Sequence, residues 1–392
     1  MASSPTRDLD IVLLGATGFT GALTAEYLAE HGPTGLRWAL AGRNPAKLKA
    51  VRDRLAKLDP ALAELELIEA DSGDRASLDA MVRRAKVVIT TVGPYQQFGE
   101  PLVAACAEAG TDYVDLTGEP EFVDTMYVAH HATAVKSGAR IVHSCGFDSI
   151  PHDLGAYYTV KELAAKGPVA VRGVVRASAM FSGGTLHSAL GIMSRARQGR
   201  EAAKARRKVE ARPEGRSSKA VAGKPGRDKV LGWWLLPLPT IDPTIVARSG
   251  AALPAYGPRF TYSHFGGAKR PWNAAGVGLV AGAVMASAQV PPLRNFLLGR
   301  VKPGDGPDES RREKSWFTVD FVGEGDARTV HTRVSGGDPG YTETAKMLAE
   351  SALCLAFDDN PTTAGSVTTA QAMGDNLTTR LIAAGIKFET VT

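Results

Sequence analysis

Residues 9–28 read LDIVLLGATGFTGALTAEYL, an apolar run that enters the turn Gly15–Gly21 and a helix-compatible segment that leaves it. The three turn glycines have separate tasks. Gly15 permits a tight reversal, Gly18 lets backbone come within contact of a ligand, and Gly21 allows close packing of helix on strand. Amide N–H groups at the helix start, with the helix dipole behind them, hold a phosphate anion. Thr17 and Phe19 complete that cradle. The spacing is G-x-x-G-x-x-G rather than G-x-G-x-x-G, and a glycine triplet by itself often only punctuates a loop. Its position after a strand, before a helix and at the head of an alternating series makes this one a dinucleotide cradle.

Outward from the turn, strand-like runs at Trp38–Ala41, Glu66–Ala70, Val87–Val92, Tyr113–Leu116 and Arg140–Ser144 alternate with helical patterns. These lie at about 19–31, 45–58, 74–84, 98–109 and 121–137. Such a rhythm predicts βαβ units and a parallel sheet covered on both faces. Right-handed crossovers then give an α/β class, Rossmann-like doubly wound sheet over residues 1–150, with ligands at the strands' carboxyl ends.

The end of the second strand selects the nucleotide. An acid there would bind a ribose 2′-hydroxyl. The sequence instead reads WALAGRNPAKL, with Arg43 and Asn44 at that point and no acid before Asp53. A guanidinium suits a 2′-phosphate, which favours NADP over NAD; a surface arginine stacked on adenine is the plainer use of Arg43. Asp71 either borders the adenine or caps the helix near residue 74. The fourth strand runs into TTVGPYQQFGEP, where Gly93 and Pro94 shape a loop expected beside the nicotinamide ribose. Tyr95 either points into that cleft or is a core tyrosine.

After Pro151 the pattern changes. A helix near 152–166 precedes an alternating run, Val169–Phe181, and strands at Arg259–Phe265, Ser315–Val322 and Arg328–Ser335. GEGDA (Gly323–Ala327) reads as the turn of a hairpin. With helices near 184–200, 340–357 and 367–384, residues 151–338 are expected to form an α+β substrate domain carrying a mostly antiparallel sheet. Residues 339–392 read as C-terminal helices that could pack back on the first domain.

At 392 residues two domains are expected, and 44% hydrophobic with 22% charged residues suits ordinary globular cores. Cys106, Cys145 and Cys354 have no paired or metal-like spacing, so neither disulfides nor a metal is expected, and a reducing, cytoplasmic compartment fits. MASSPTRDLD has no apolar core of a secretory leader. Thirteen Lys or Arg against four acids between Ser194 and Val230 carry the positive signature of a chain whose net charge is +5. Residues 198–229 are therefore read as a mobile basic segment, followed by Trp233 and Trp234. Such a patch suits an anionic membrane surface or an acidic acyl carrier protein. Nucleic acid is a poorer partner, because no nucleic-acid motif accompanies the charge. Residues 274–293 are uncharged over the length of a membrane span. Gly and Ala dominate them and two prolines end the run, which favours a buried or interfacial helix.

Six passages taken together resemble the saccharopine dehydrogenase-like oxidoreductases, and more narrowly their actinobacterial branch of trans-acting enoyl reductases. They are GATGFTG, AGRNPAKL, VGPYQQFGEPLVAACAEAGTDYVDLTGE, CGFDSIPHDLG, SGGTLHS and GDPGYTETAKMLAESALCLA, and they span residues 9 to about 357. The resemblance implies an NADP-binding domain followed by an α/β domain, and reduction of a carbon–carbon double bond in a polyketide-derived lipid precursor. The substrate would be carrier-bound, with a polyketide synthase as partner. Gly15, Gly18, Gly21 and Arg43 carry over as cofactor residues, and the loops Gly93–Tyr95 and Gly146–Pro151 would line the nicotinamide. Two stretches depart from the family: AGSVTTAQAMG lacks a proline expected there, and the basic segment matches nothing. Other readings are an oxidoreductase acting on an amino-acid adduct, or an NADPH-binding scaffold at a lipid surface.

Enoyl reduction needs a proton donor near the cofactor. Tyr95, His143 and His152 are candidates, with Asp148 as an orienting group. The plainer readings are that Asp148 and Ser149 cap the following helix and that Cys145 is a small buried hydrophobe. The Ser182–Thr185 turn and His187 could bind a carbonyl or phosphate oxygen, or simply bend the chain.

Overall fold

The unbroken apolar run at Leu9–Leu14 is buried along its length as β1, which pairs in parallel with a strand on either side. In the computed structural model, residues 7–178, 194–273, 276 and 308–391 are described. The Ser182–Thr185 turn, His187 and, Gly276 apart, the uncharged run 274–293 lie outside the described residues.

β1 is flanked by β2 (Trp38–Gly42) and β4 (Ala85–Thr90); β3 (Glu66–Glu69) lies beyond β2. On the other side follow β5 (Asp112–Asp115), β6 (Arg140–Val142) and β14 (Gly365–Val367), and every pair is parallel. The order β14-β6-β5-β4-β1-β2-β3 reverses direction between β1 and β4. That reversal opens a crevice at the carboxyl ends, where doubly wound sheets bind ligands. The helix Phe19–His31 follows β1, and the helix Thr342–Phe357 packs on it and on β1, β4 and β5.

This first unit consists of residues up to Phe147 together with Tyr341–Arg380. These breaks, after Phe147 and before Tyr341, lie within three residues of the expected division at 150 and 338, but the C-terminal helices over 339–392 are joined by two strands. The chain returns to supply a seventh parallel strand, β14, and a late strand, β15 (Lys387–Thr390), belongs to the second unit. Both are three or four residues long, too short to show a period in the sequence.

The second unit, Asp148–Gly340 and Leu381–Thr392, holds an eight-stranded mixed sheet. Its strands are β7 (Val169–Ser178), β8 (Ser217–Ala220), β9 (Gly226–Arg227), β10 (Trp234–Pro237), β11 (Arg259–Ala268), β12 (Trp316–Gly325), β13 (Arg328–Gly336) and β15. The order is β15-β13-β12-β7-β11-β10-β9, with β8 also beside β11. β11 runs parallel to β7 and β8; the remaining pairs are antiparallel. Asp326 and Ala327 join β12 to β13 with φ of +48° and +61°, the two-residue turn whose twist matches its strands. The helix Ile150–Leu163 lies close on this sheet: a Cβ on Gly155 would come within 2.3 Å of Phe321, and one on Gly323 within 2.8 Å of Thr159.

The segment 198–229, expected to be mobile, is built into this unit. It contributes most of the helix Ala196–Val209, β8 and β9. Charge composition misled because several of its cations satisfy local groups rather than water. Arg216 donates to the carbonyls of Gly250 and Gly257 at 2.9 and 3.2 Å. The buried Arg206 pairs with Glu210, which also takes Arg248 at 2.8 Å.

Candidate functional site

Within the first unit the glycine turn lies at the carboxyl end of β1, and its three glycines are not equivalent. Gly15 has φ +92°, and an added Cβ would meet Thr91 Oγ1 at 2.7 Å and Val92 Cγ2 at 2.9 Å. Its carbonyl accepts from Gly18 N at 3.0 Å and from Thr91 Oγ1 at 3.1 Å. A Cβ on Gly21 would come within 2.2 Å of that same carbonyl oxygen. Gly15 and Gly21 are thus required by the chain itself. Gly18 is not: its backbone is extended at φ −79°, and an added Cβ would find nothing nearer than 3.5 Å. Thr17 and Gly18 are exposed, and no side chain caps the helix that begins at Phe19. An exposed glycine dispensable to the fold, beside uncapped helix amides, fits a diphosphate. The Phe19 ring meets Tyr341 edge-on at 4.8 Å.

The ends of β2 and β3 frame a cavity of about 320 Å³ lined by Arg43, Glu69, Ala70, Asp71, Asp74 and Ser77. Arg43 is exposed and is the cation of that lining, as a 2′-phosphate would need. Asn44 is committed to structure: its Oδ1 accepts from Lys47 N at 3.0 Å and caps the helix Pro45–Leu55. The helix Arg75–Arg84 is capped by Asp74, not Asp71. Asp71 closes a small turn through Gly73 N at 2.9 Å while still lining the cavity.

Gly93 and Pro94, joined by a cis peptide, are exposed just past the end of β4. Tyr95 corrects the catalytic expectation. It is 5% exposed, and its hydroxyl donates to Thr90 O at 3.0 Å and takes the Leu116 amide at 3.4 Å. Its own amide and that of Gln96 donate to the two carboxylate oxygens of buried Glu119, at 3.2 and 2.9 Å. Tyr95 therefore ties the end of β4 to that of β5. Tyr95→Phe is expected to cost about 1 kcal/mol in denaturant melts while turnover stays within about twofold; loss of turnover without loss of stability would restore the catalytic reading.

Sequence reasoning missed a heavily bonded, fully buried group of this unit, Asp115. Its Oδ1 accepts from Thr117 N at 3.0 Å and Ser144 N at 2.8 Å. Its Oδ2 accepts from Tyr113 Oη at 2.9 Å and meets His143 Nδ1 at 2.6 Å. Ser144 holds φ +63°, rare for a residue with a side chain, and is pinned there by a second bond from its hydroxyl to Thr117 O at 2.6 Å. Burial pushes the Tyr113 phenol well above its usual range, so it stays a donor. His143 is a buried member of this network rather than an exposed proton donor. Cys145 is buried, in keeping with a small hydrophobe. The signal was present in YVDLTGE, where two acids flank a threonine after an apolar strand.

Asp148 and His152 belong to the second unit. Asp148 is exposed, and Ser149, at the start of the helix Ile150–Leu163, makes no side-chain cap bond. His152 is buried, with Nδ1 3.0 Å from Asp242 Oδ1, and its ring meets His264 edge-on at 4.9 Å. Burial would raise the Asp242 carboxyl, but the facing imidazoles, His152 first, hold it below its usual value. Burial pushes His264 down to about 4 against the pull of Asp242.

Comparison with known proteins shows the family and the fold. Residues 11–142 match the family described as saccharopine dehydrogenase NADP binding domain. The chain is 40% identical to a Mycobacterium tuberculosis protein provisionally named a trans-acting enoyl reductase, covering 100% of this chain and 99% of the relative. It is 38% identical to the trans-acting enoyl reductase of Mycobacterium ulcerans, covering 98% of each. Among solved structures, apo saccharopine dehydrogenase (L-Glu forming) from Saccharomyces cerevisiae aligns with a TM-score of 0.55 at 16% identity. That match covers 98% of this chain and 100% of the other, a likeness of fold.

Proposed function

This chain belongs to the trans-acting enoyl reductase family of saccharopine dehydrogenase-like, NADP-dependent oxidoreductases, and from that premise we propose that it saturates a carbon–carbon double bond in a carrier-bound acyl thioester. The observation that carries the reading is Gly18, an exposed glycine dispensable to the chain, at an uncapped helix start, in a protein matching named reductases along its whole length. NADPH, when bound, supplies the hydride. The protein's part is position: free amides of the glycine turn and helix start would hold the diphosphate, Arg43 would meet the 2′-phosphate, and the exposed Gly93–Pro94 loop would border the nicotinamide end.

The partner we propose is an acidic acyl carrier protein of a polyketide synthase, and one face of the helix Ala196–Val209 supports it. Arg200, Lys204, Arg207 and Lys208 are exposed and follow each other at helical spacing, so they share one side. A cationic face of this kind steers an acidic partner. No helix among the described residues is long and apolar enough to cross a membrane. We place the enzyme in the cytoplasm, with attachment to an anionic inner membrane face as the rival use of the same cations.

Turnover with NADPH on an enoyl thioester tests both points. We expect the carrier-borne substrate to be preferred. The double charge reversal Arg200→Glu/Arg207→Glu should raise its KM about tenfold at low salt, leaving the pantetheine-borne substrate unchanged. No turnover on either would defeat the reductase reading. Equal KM for both substrates would defeat the carrier, and salt-sensitive binding to anionic vesicles would then favour the membrane.

A further inference from the structure

We propose that His152, Asp242 and His264 form a binding site for one divalent transition-metal ion of the zinc class, in the second unit. The three residues come from different elements. His152 lies in the first turn of the helix Ile150–Leu163, Asp242 opens the helix Asp242–Ala252, and His264 sits within β11. All three are buried, at 2, 3 and 4% exposure. One ligand atom from each, an imidazole nitrogen or a carboxylate oxygen, lies within 4.8 Å of the other two. His152 Nδ1 is 3.0 Å from Asp242 Oδ1, and His264 Nε2 is 3.8 Å from Asp242 Oδ2.

Those spacings suit a shared ion. Zinc bonds imidazole nitrogen and carboxylate oxygen at about 2.0–2.2 Å, which sets neighbouring ligands roughly 3.3–3.5 Å apart around a tetrahedral centre. The two measured separations bracket that value, so small side-chain movements would complete the geometry. Asp242 Oδ1 is fully buried, with the His152 imidazole nitrogen 3.0 Å away. Two nitrogens and one oxygen form the mixed set that zinc accepts.

The surroundings hold the ligands in place. Tyr262 Oη lies 3.2 Å from His264 Nδ1, which leaves Nε2 as the nitrogen facing Asp242. A partner on the far nitrogen fixes tautomer and ring orientation in histidine metal sites. Tyr262 is itself fully buried, and Gly173 makes room for it, since a Cβ there would fall 2.2 Å from the phenol oxygen. The alternative occupant is a proton, making one imidazole a cation that pairs with Asp242.

Elemental analysis and calorimetry separate the two. Purified protein is stripped with chelator, reloaded with zinc chloride and desalted; we expect one equivalent retained per chain, and cobalt(II) loading should give the visible bands of a tetrahedral site. Asp242→Asn and His264→Gln should each abolish retention and bands, with far-ultraviolet circular dichroism confirming that they fold. Should either variant fail to fold, Tyr262→Phe serves instead, with affinity expected to fall about tenfold or more. A stripped wild type that refolds yet retains no zinc, or retention unchanged in the folded variants, would overturn the proposal in favour of the proton.

Discussion

Gly18→Asp is expected to raise the Kd for NADPH at least a hundredfold while leaving the protein as stable as before, or slightly more so. The two effects have opposite signs because they act on different partners. Gly18 is the N-cap of the helix Phe19–His31, which has no side-chain cap, and Asp is among the best residues at that position. An added Cβ meets only Gly15 O, at an ordinary 3.5 Å. The fold should therefore gain a few tenths of a kcal/mol up to about 1 from the new cap. The same carboxylate would face the diphosphate and occupy its amides, and a hundredfold loss corresponds to about 2.7 kcal/mol of binding. Gly21→Ala should behave in the opposite way. Its Cβ would lie 2.2 Å from a backbone oxygen, so the loss is expected in the melting curve, about 3 kcal/mol or more, before any binding is measured. Arg43→Ala is the selective counterpart, weakening NADPH with little change for NADH. Chemical denaturation and fluorescence titration read both quantities on one sample. A Gly18→Asp protein that binds NADPH normally would remove the cradle.

What sequence reading recovers here follows how locally each feature is encoded. β1 and the helix after it were legible to the residue because an apolar run, three glycines and an amphipathic stretch all lie within 23 positions. The Asp326–Ala327 hairpin was legible for the same reason. Features made by distant pairing were not. β14 and β15 exist because β6 and β13 offer edges, not because Gly365–Val367 or Lys387–Thr390 shows a pattern. The site divides along the same line. Gly15, Gly18 and Gly21 carry their chemistry in their spacing, whereas Tyr95, read in sequence as a candidate proton donor, has its hydroxyl in an inter-strand tie. His152, Asp242 and His264 were invisible as a group because nothing in the order of residues brings 152 beside 242. The basic stretch misled for a different reason: charge reports affinity for water only when the cations lack local acceptors, and Arg206 and Arg216 have them.

Asp115→Ala should be among the most damaging single changes in the first unit, at about 4 kcal/mol or more in equilibrium denaturation. The carboxylate is fully buried and takes bonds from the Thr117 and Ser144 amides and the Tyr113 hydroxyl, with the His143 ring 2.6 Å away. Removing it leaves those donors in a dry interior, at roughly 1–3 kcal/mol for each one stranded. It also frees Ser144, whose left-handed backbone is held by the Asp115 contact and by its hydroxyl bond to Thr117 O. Domains of this kind have only about 5–15 kcal/mol in total, so the variant should sit at the edge of folding at growth temperature. Asp115→Asn separates the contributions. One amide oxygen can still serve the two backbone donors, but the NH₂ group would face the Tyr113 hydroxyl and the His143 ring, so an intermediate loss of about 2 kcal/mol is expected. If Asp115→Ala cost less than about 1 kcal/mol, the network would be incidental, and the loop after β6 would owe its shape to packing instead. A full loss would mean that one carboxylate, four residues before Glu119, fixes the carboxyl edge of β5 and β6 next to the Tyr95 tie.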